Sequence, residues 1–247
     1  MLIAANWKAY VETPAKAKAL VAGAKRLALR TKHTIVLTPS YPHLGLCPNA
    51  GKKNLAFGAQ DISLSEGGAS TGEVTGKQLA TLGAAYVIVG HSERRAMGES
   101  NEIVAKKAQQ AISNKLVPIL CVGERARDED AKYLQELREQ MSIVLKALAP
   151  KERGNIVVAY EPVWAIGRSA REAITPDDLA EMILYIRKLL GEHMPAKTAA
   201  KVRILYGGSV EPGNVRELAE GGKVDGFLIG HASVDVSTFA ALVKAVS

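Results

Sequence analysis

The chain has 247 residues, with 32 Lys and Arg against 25 Asp and Glu for a net charge of +7, 47% hydrophobic residues and two cysteines, Cys47 and Cys121. Two thiols exclude a disulfide scaffold and show no close metal-ligand or redox spacing, so reduced thiols and a cytoplasmic location are expected. No run approaches the roughly 18 apolar residues of a membrane helix, the start lacks the pattern of a signal peptide, and the scattered positive charge flanks no aromatic cluster; a small anion is expected as partner rather than a membrane or nucleic acid.

In chain order, short apolar runs predict strands at 2–6, 34–38, 55–60, 86–90, 117–122, 156–160, 203–206 and 226–229. Amphipathic helical runs follow Pro14, Gly76 and Asn101, while the second and third strands lie too close for a long helix between them. Leu134, Leu137, Met141, Val144, Leu145 and Leu148 recur at helical spacing and mark a core-facing stripe. A further helix starts with Thr175 as N-cap, Pro176 in its first position and Asp177 and Asp178 in its first turn, and Gly191 is expected to close it. Shorter runs after Pro212 and Val234 complete the pattern. Eight strand–helix units with continuous apolar strands favour a parallel α/β barrel, although a doubly wound open sheet fits the same alternation. With no linker or shift in composition, residues 1–247 read as one domain.

In such a barrel the chemistry gathers where strands end. The polar residues there are Asn6 and Lys8, Gln60, His91 and Glu93, Glu124, and Glu161. Singly, Lys8 reads as a surface charge, His91 as a histidine bonded to backbone and Glu161 as an ion-pair partner. Together they supply a cation, an imidazole and a carboxylate at one mouth, the equipment for moving a proton beside a carbonyl. Gly207, Gly208, Ser209 and Gly230 follow the last two strands and offer backbone N–H groups to a phosphate, or merely make tight turns. No nucleotide-loop or zinc motif is present in the sequence.

At these residues the chain resembles the triosephosphate isomerase family. The resemblance is carried by Ala5-Asn6-Trp7-Lys8, Gly58-Ala59-Gln60, Ser70-Thr71-Gly72-Glu73-Val74, the run 86–95 with His91, Ser92 and Glu93, Cys121-Val122-Gly123-Glu124, the run 160–167 with Glu161 and Pro162, Tyr206-Gly207-Gly208-Ser209-Val210, and the run 224–230. It implies a single (β/α)8 TIM barrel that interconverts dihydroxyacetone phosphate and glyceraldehyde 3-phosphate without metal or organic cofactor. Glu161 is then the base, His91 polarises the carbonyl oxygens, Lys8 stabilises negative charge and Asn6 holds the enediolate, with Ser92 and Glu93 in support. Backbone groups of Gly167, Ser209, Gly230 and His231 grip the phosphate. Pro162, Trp164 and Ile166 belong to the first part of a mobile lid, held open by Glu124 on the Trp164 indole and closed by Tyr206 and Ser209. A loop carrying Thr71 and Glu73 docks into a second copy, giving a homodimer.

Three places depart from the family pattern. Arg168-Ser169-Ala170-Arg171-Glu172 stands where the lid usually has Thr-Gly-Lys-Thr-Ala; Ser169 restricts the hinge, and Arg168 either reaches the phosphate or is solvated. His231 replaces a glycine, which would be costly at positive φ, and when protonated beside the phosphate it would favour the dianion. Ser70 replaces an aromatic, leaving a weak dimer or a monomer open. The alternatives are an isomerase of a four-carbon ketose phosphate and a sugar-phosphate-binding barrel without catalysis.

Overall fold

The computed structural model describes residues 1–47, 54–128, 130–167 and 174–247. The apolar runs form parallel strands β1 (Leu2–Asn6), β2 (Thr34–Thr38), β3 (Leu55–Ala59), β4 (Tyr86–Val89), β5 (Val117–Val122), β6 (Val157–Tyr160), β7 (Arg203–Tyr206) and β8 (Gly226–Ile229). Each pairs with the next and β8 returns to β1, so the sheet is closed and the open alternative is excluded. Gln60, Gly90 and Ile156 fall just outside the strands expected to contain them.

The two-residue period of a strand sorts its side chains between two apolar regions. Leu2 and Ala4 of β1, Ile119 and Cys121 of β5, and Val157 and Ala159 of β6 belong to the cluster that fills the barrel. Their neighbours Ile3, Ala5, Leu120 and Val158 join the larger cluster between strands and helices. One more step of the inward series takes β1 to Asn6, β6 to Glu161, β7 from Leu205 to Gly207 and β8 from Leu228 to Gly230. Polar residues and glycines thus succeed apolar filling at the carboxyl end of the barrel.

Among the described residues the helices are α1 (Pro14–Ala28), α2 (Gly76–Thr81), α3 (Ser92–Ala96), α4 (Asn101–Ser113), α5 (Lys132–Ala147), α6 (Pro176–His193), α7 (Ala196–Ala199), α8 (Val215–Gly221) and α9 (Val236–Ala245). Among the described residues the connection after β2 contains only a 3-10 turn, Tyr41–Leu46, in keeping with the short spacing. On α5, Leu137, Met141, Val144 and Leu145 are fully buried, whereas Leu134 is half-buried and Leu148 is buried just beyond the last turn. The N-cap of α6 forms as expected, with the Asp178 N–H donating to Thr175 Oγ1 at 3.1 Å. Gly191 does not end α6, which runs to His193 and stops at Met194 before Pro195. The last turn is anchored from outside: Arg153 Nη1 donates to the His193 carbonyl at 2.8 Å, and the His193 ring meets Ser142 Oγ at 3.0 Å. The Arg153 bond satisfies a terminal carbonyl of the kind that a glycine cap otherwise serves, and the Ser142 contact fixes the His193 ring.

Candidate active site

At the carboxyl ends of the strands, Asn6, Lys8, His91, Glu93, Glu161, Ile166, Gly167, Ser209, Gly230 and His231 line one cavity of about 460 Å³. All ten are candidates from the sequence. Asn6 is buried and its Oδ1 accepts from the Lys8 N–H at 3.1 Å, turning the chain so sharply that Lys8 takes φ 45°. Lysine rarely adopts a left-handed conformation, so neighbours must hold it there. Gln60 does so by donating one amide group to the carbonyls of Lys8 at 2.9 Å and Thr38 at 3.0 Å, which ties the ends of β1, β2 and β3 together. Lys8 Nζ then reaches Glu93 Oε1 at 2.7 Å.

His91 caps α3, a one-turn helix that the sequence reading did not anticipate. Its Nδ1 accepts from the Glu93 N–H at 3.2 Å. A ring nitrogen that accepts carries no proton, so this bond assigns the neutral imidazole with its proton on Nε2, facing the cavity. That Nε2 lies 3.3 Å from Glu161 Oε1, an oxygen without an aligned hydrogen bond, while Glu161 Oε2 accepts from the Ser92 N–H at 3.1 Å. Ser92 therefore meets this carboxylate through its backbone. Beneath the carboxylate, burial and then the charge of Glu161 push the Cys121 thiol well above its ordinary pKa, keeping it neutral.

Two glycines make room for Glu161. A Cβ on Gly123 would meet the Glu161 carbonyl at 1.8 Å, and one on Gly207 would meet Glu161 Cγ at 2.8 Å. On the opposite wall, Ser209 Oγ donates to the Ala165 carbonyl at 2.9 Å and Ser233 Oγ to the Gly230 carbonyl at 2.6 Å. His231 opens the 3-10 turn His231–Val234 outside the positive-φ region, so the cost foreseen for it does not arise. Its ring lies edge-on to Tyr10, with centroids 5.4 Å apart. The sequence offered no signal for that contact, because the partners are distant in the chain.

Behind the cavity, fully buried Glu124 receives the Tyr160 hydroxyl and Trp164 Nε1, both at 2.8 Å on Oε1. Burial and then the Glu124 charge raise the Tyr160 pKa, so its hydroxyl stays a donor. Pro162 and Glu124 shape the adjoining turn through Ala165 N–H to Pro162 O at 2.9 Å and Val163 N–H to Glu124 O at 2.9 Å. Burial raises the Tyr206 pKa, opposed by the backbone groups of Ile174 and Ser209 that its hydroxyl faces. Arg168 and the rest of 168–173, with the expectations placed on them, lie outside the described residues. Thr71 and Glu73 are exposed and away from this cavity; Glu73 lines a separate hollow with Tyr41, Leu64 and Met97.

The triosephosphate isomerase family model matches residues 1–246. Among similar proteins, the triosephosphate isomerase of Moorella thermoacetica is 43% identical over 98% of this chain and 97% of its own length. That of Thermus thermophilus is 40% identical over 99% and 98% of the two chains, and that of Roseiflexus castenholzii 40% over 100% and 97%. Matched from end to end by the family model and by these relatives, with the closed barrel that the resemblance implied, the chain belongs to the triosephosphate isomerase family.

Proposed function

We propose that the chain interconverts dihydroxyacetone phosphate and D-glyceraldehyde 3-phosphate, an intramolecular aldose–ketose isomerisation of glycolysis and gluconeogenesis. The observation that carries this reading is the meeting of the Glu161 carboxylate, the Nε2–H of a neutral His91 and the Lys8 ammonium in one cavity walled by the turns at Ser209 and Gly230. A glutamate base beside a neutral, electrophilic histidine is the established pattern of this family.

Glu161 removes a proton from C1 of dihydroxyacetone phosphate, and negative charge develops on the carbonyl oxygen at C2. His91 Nε2–H donates to that oxygen, and Lys8 and the Asn6 amide stabilise the enediolate. A proton moves from O1 to O2, and Glu161 returns its proton at C2, so no net proton is consumed. Ser92 orients the base, and Glu93 holds Lys8 through the ion pair at 2.7 Å. Backbone groups of Gly167, Ser209, Gly230 and His231 hold the phosphate. Pro162, Trp164 and Ile166 move with a lid that excludes water; Glu124 holds the open position, and Tyr206 and Ser209 the closed one.

The chain acts as a homodimer in the cytoplasm, the exposed loop with Thr71 and Glu73 docking into the active site of a second copy, where it helps to fix Asn6 and Lys8. Met97 is 76% exposed, a large apolar side chain that a second copy would cover. No helix among the described residues is long and apolar enough to cross a membrane.

The test is coupled turnover of glyceraldehyde 3-phosphate by the purified protein over a range of protein concentrations. Turnover lost in Glu161→Gln and declining on dilution is expected. A folded wild-type sample without turnover refutes the isomerase, and activity per chain independent of dilution down to a monomeric sample refutes the need for a dimer.

A further inference from the structure

We infer that Gln140 is a positioning residue for Glu161 that acts through Gly123, an assignment that rests on the isomerase reading above. Gln140 lies on α5, is 5% exposed, and turns its amide onto a single residue. Its Oε1 accepts from the Gly123 N–H at 2.8 Å, and its Nε2 donates to the Gly123 carbonyl at 3.0 Å. The remaining Nε2 hydrogen faces Glu136 Oε1 at 3.5 Å, one turn back on the same helix. Gly123 in turn is buried and lies so close to the Glu161 carbonyl that a Cβ has no space there.

A neighbouring strand normally satisfies such a pair of backbone groups, and the register shows why a side chain does so here. The carbonyls of Val122 and Glu124 face β6, where they accept from the N–H groups of Glu161 at 2.8 Å and Val163 at 2.9 Å. Backbone groups alternate in direction along a strand, so those of Cys121 and Gly123 face β4. β4 ends at Val89, which pairs with Leu120, and leaves the last part of that edge of β5 open. Arg95 Nη2 donates to the Cys121 carbonyl at 3.3 Å, and the Gln140 amide, with one donor and one acceptor in a plane, takes both groups of Gly123. Gln140 thus stands in for the missing strand. Glu161 is bonded through its N–H to Val122 and rests its carbonyl on Gly123, so the place of Gly123 sets the point from which the Glu161 side chain is aimed into the cavity.

The experiment compares wild type with Gln140→Met and Gln140→Asn. It measures kcat and KM for glyceraldehyde 3-phosphate, Kd for inorganic phosphate by calorimetry, amide hydrogen exchange at Gly123 and Glu161 by NMR, and Tm. Methionine keeps the length and helix preference of glutamine but leaves the buried N–H and carbonyl of Gly123 without these partners, so Gly123 shifts and Glu161 shifts with it. Gln140→Met is expected to lose about 10- to 100-fold in kcat, the cost of a displacement of up to about 1 Å at a reacting group. KM and the phosphate Kd stay within about twofold, since the turns at Ser209 and Gly230 follow other strands, β7 and β8. Exchange at Gly123 and Glu161 quickens by about tenfold or more as their hydrogen bonds open more often, and Tm falls by several degrees. Gln140→Asn, whose amide stops about 1.5 Å short and reaches Gly123 only through a water, is expected to lose less kcat and serves if the methionine variant does not fold.

A folded Gln140→Met with kcat within about threefold of wild type, or with unchanged exchange at Glu161, would overturn the assignment. A merely structural Gln140 gives the first of these results, a lowered Tm with kcat retained. KM and phosphate Kd that rise as much as kcat falls would also overturn it, because the whole cavity rather than the base would then depend on Gln140. If wild type itself turns over no triose phosphate, the isomerase reading fails; exchange at Gly123 and Glu161 then decides the role of Gln140 without reference to activity.

Discussion

Replacing Gly207 by Ala adds one methyl group where the barrel has left space for Glu161, the proposed base. The new Cβ would stand 2.8 Å from Glu161 Cγ and 3.4 Å from its Oε1. Carbon atoms in ordinary contact stay about 3.5 Å apart or more, so Glu161 must move by roughly 0.7 Å. It has little room, being 2% exposed with its backbone N–H bonded to the Val122 carbonyl at 2.8 Å. A misplacement approaching 1 Å at a reacting group costs on the order of 100-fold in rate, or about 2.7 kcal/mol of transition-state stabilisation. Gly207 lies outside the positive-φ region, so the added methyl carries no backbone strain. Gly207→Ala is therefore expected to lose about 100-fold in kcat while its Tm stays within a few degrees of wild type. Coupled turnover at saturating glyceraldehyde 3-phosphate and scanning calorimetry on the same sample measure both quantities. A folded variant within threefold of the wild-type kcat would refute the reasoning, since it would mean that Glu161 can yield without losing its aim.

Two further predictions concern stability. Lys107 is buried, bridges Asp61 at 2.6 Å and also pairs with Glu99, so Lys107→Met leaves both carboxylates to Arg94 alone and is expected to cost about 2 kcal/mol at neutral pH, read from urea denaturation. Burial works against the Glu99 charge, but Lys107 and Arg94 outweigh it and hold its pKa below the usual 4.5. A depressed carboxylate pKa contributes stability that is present above the unfolded value and lost as pH falls through the folded one. The wild-type advantage over Lys107→Met should accordingly shrink below about pH 4.5, and a gap that stays constant with pH would contradict the ion-pair account. Thr175→Ala removes the N-cap of α6 and is expected to lower unfolding free energy by about 1 kcal/mol with kcat unchanged; no loss of stability would show that packing alone fixes the start of the helix.

Much of the fold was legible because its signals are local. Continuous apolar runs, a helical stripe on α5 and a Thr-Pro-Asp-Asp start for α6 are properties of a few successive residues. Alternation along β1 and β6 also predisposes Asn6 and Glu161 to the inward series once the strands are parallel. The candidate site was legible in part as a set of residue types at strand ends, of which Asn6, Lys8, His91, Glu93, Glu161, Ser209 and Gly230 line one cavity, whereas Ile166, Gly167 and His231 were expected only from the family resemblance.

What the sequence did not reveal depends on residues that are distant in the chain. Gly191 looked like a helix stop, yet α6 continues because Arg153 and Ser142 engage His193 from other elements. The left-handed Lys8 relies on Gln60, Tyr10 meets His231 only because β8 closes the barrel against β1, and Arg127 finds Trp164 only after β5 and β6 have paired. By itself the sequence determined strand faces, helix starts and the chemical inventory of the mouth, since periodicity and capping act within one or two turns. Closure of the sheet alone decided which of those groups face one another, because hydrogen bonds and ring contacts require distances that no local pattern specifies.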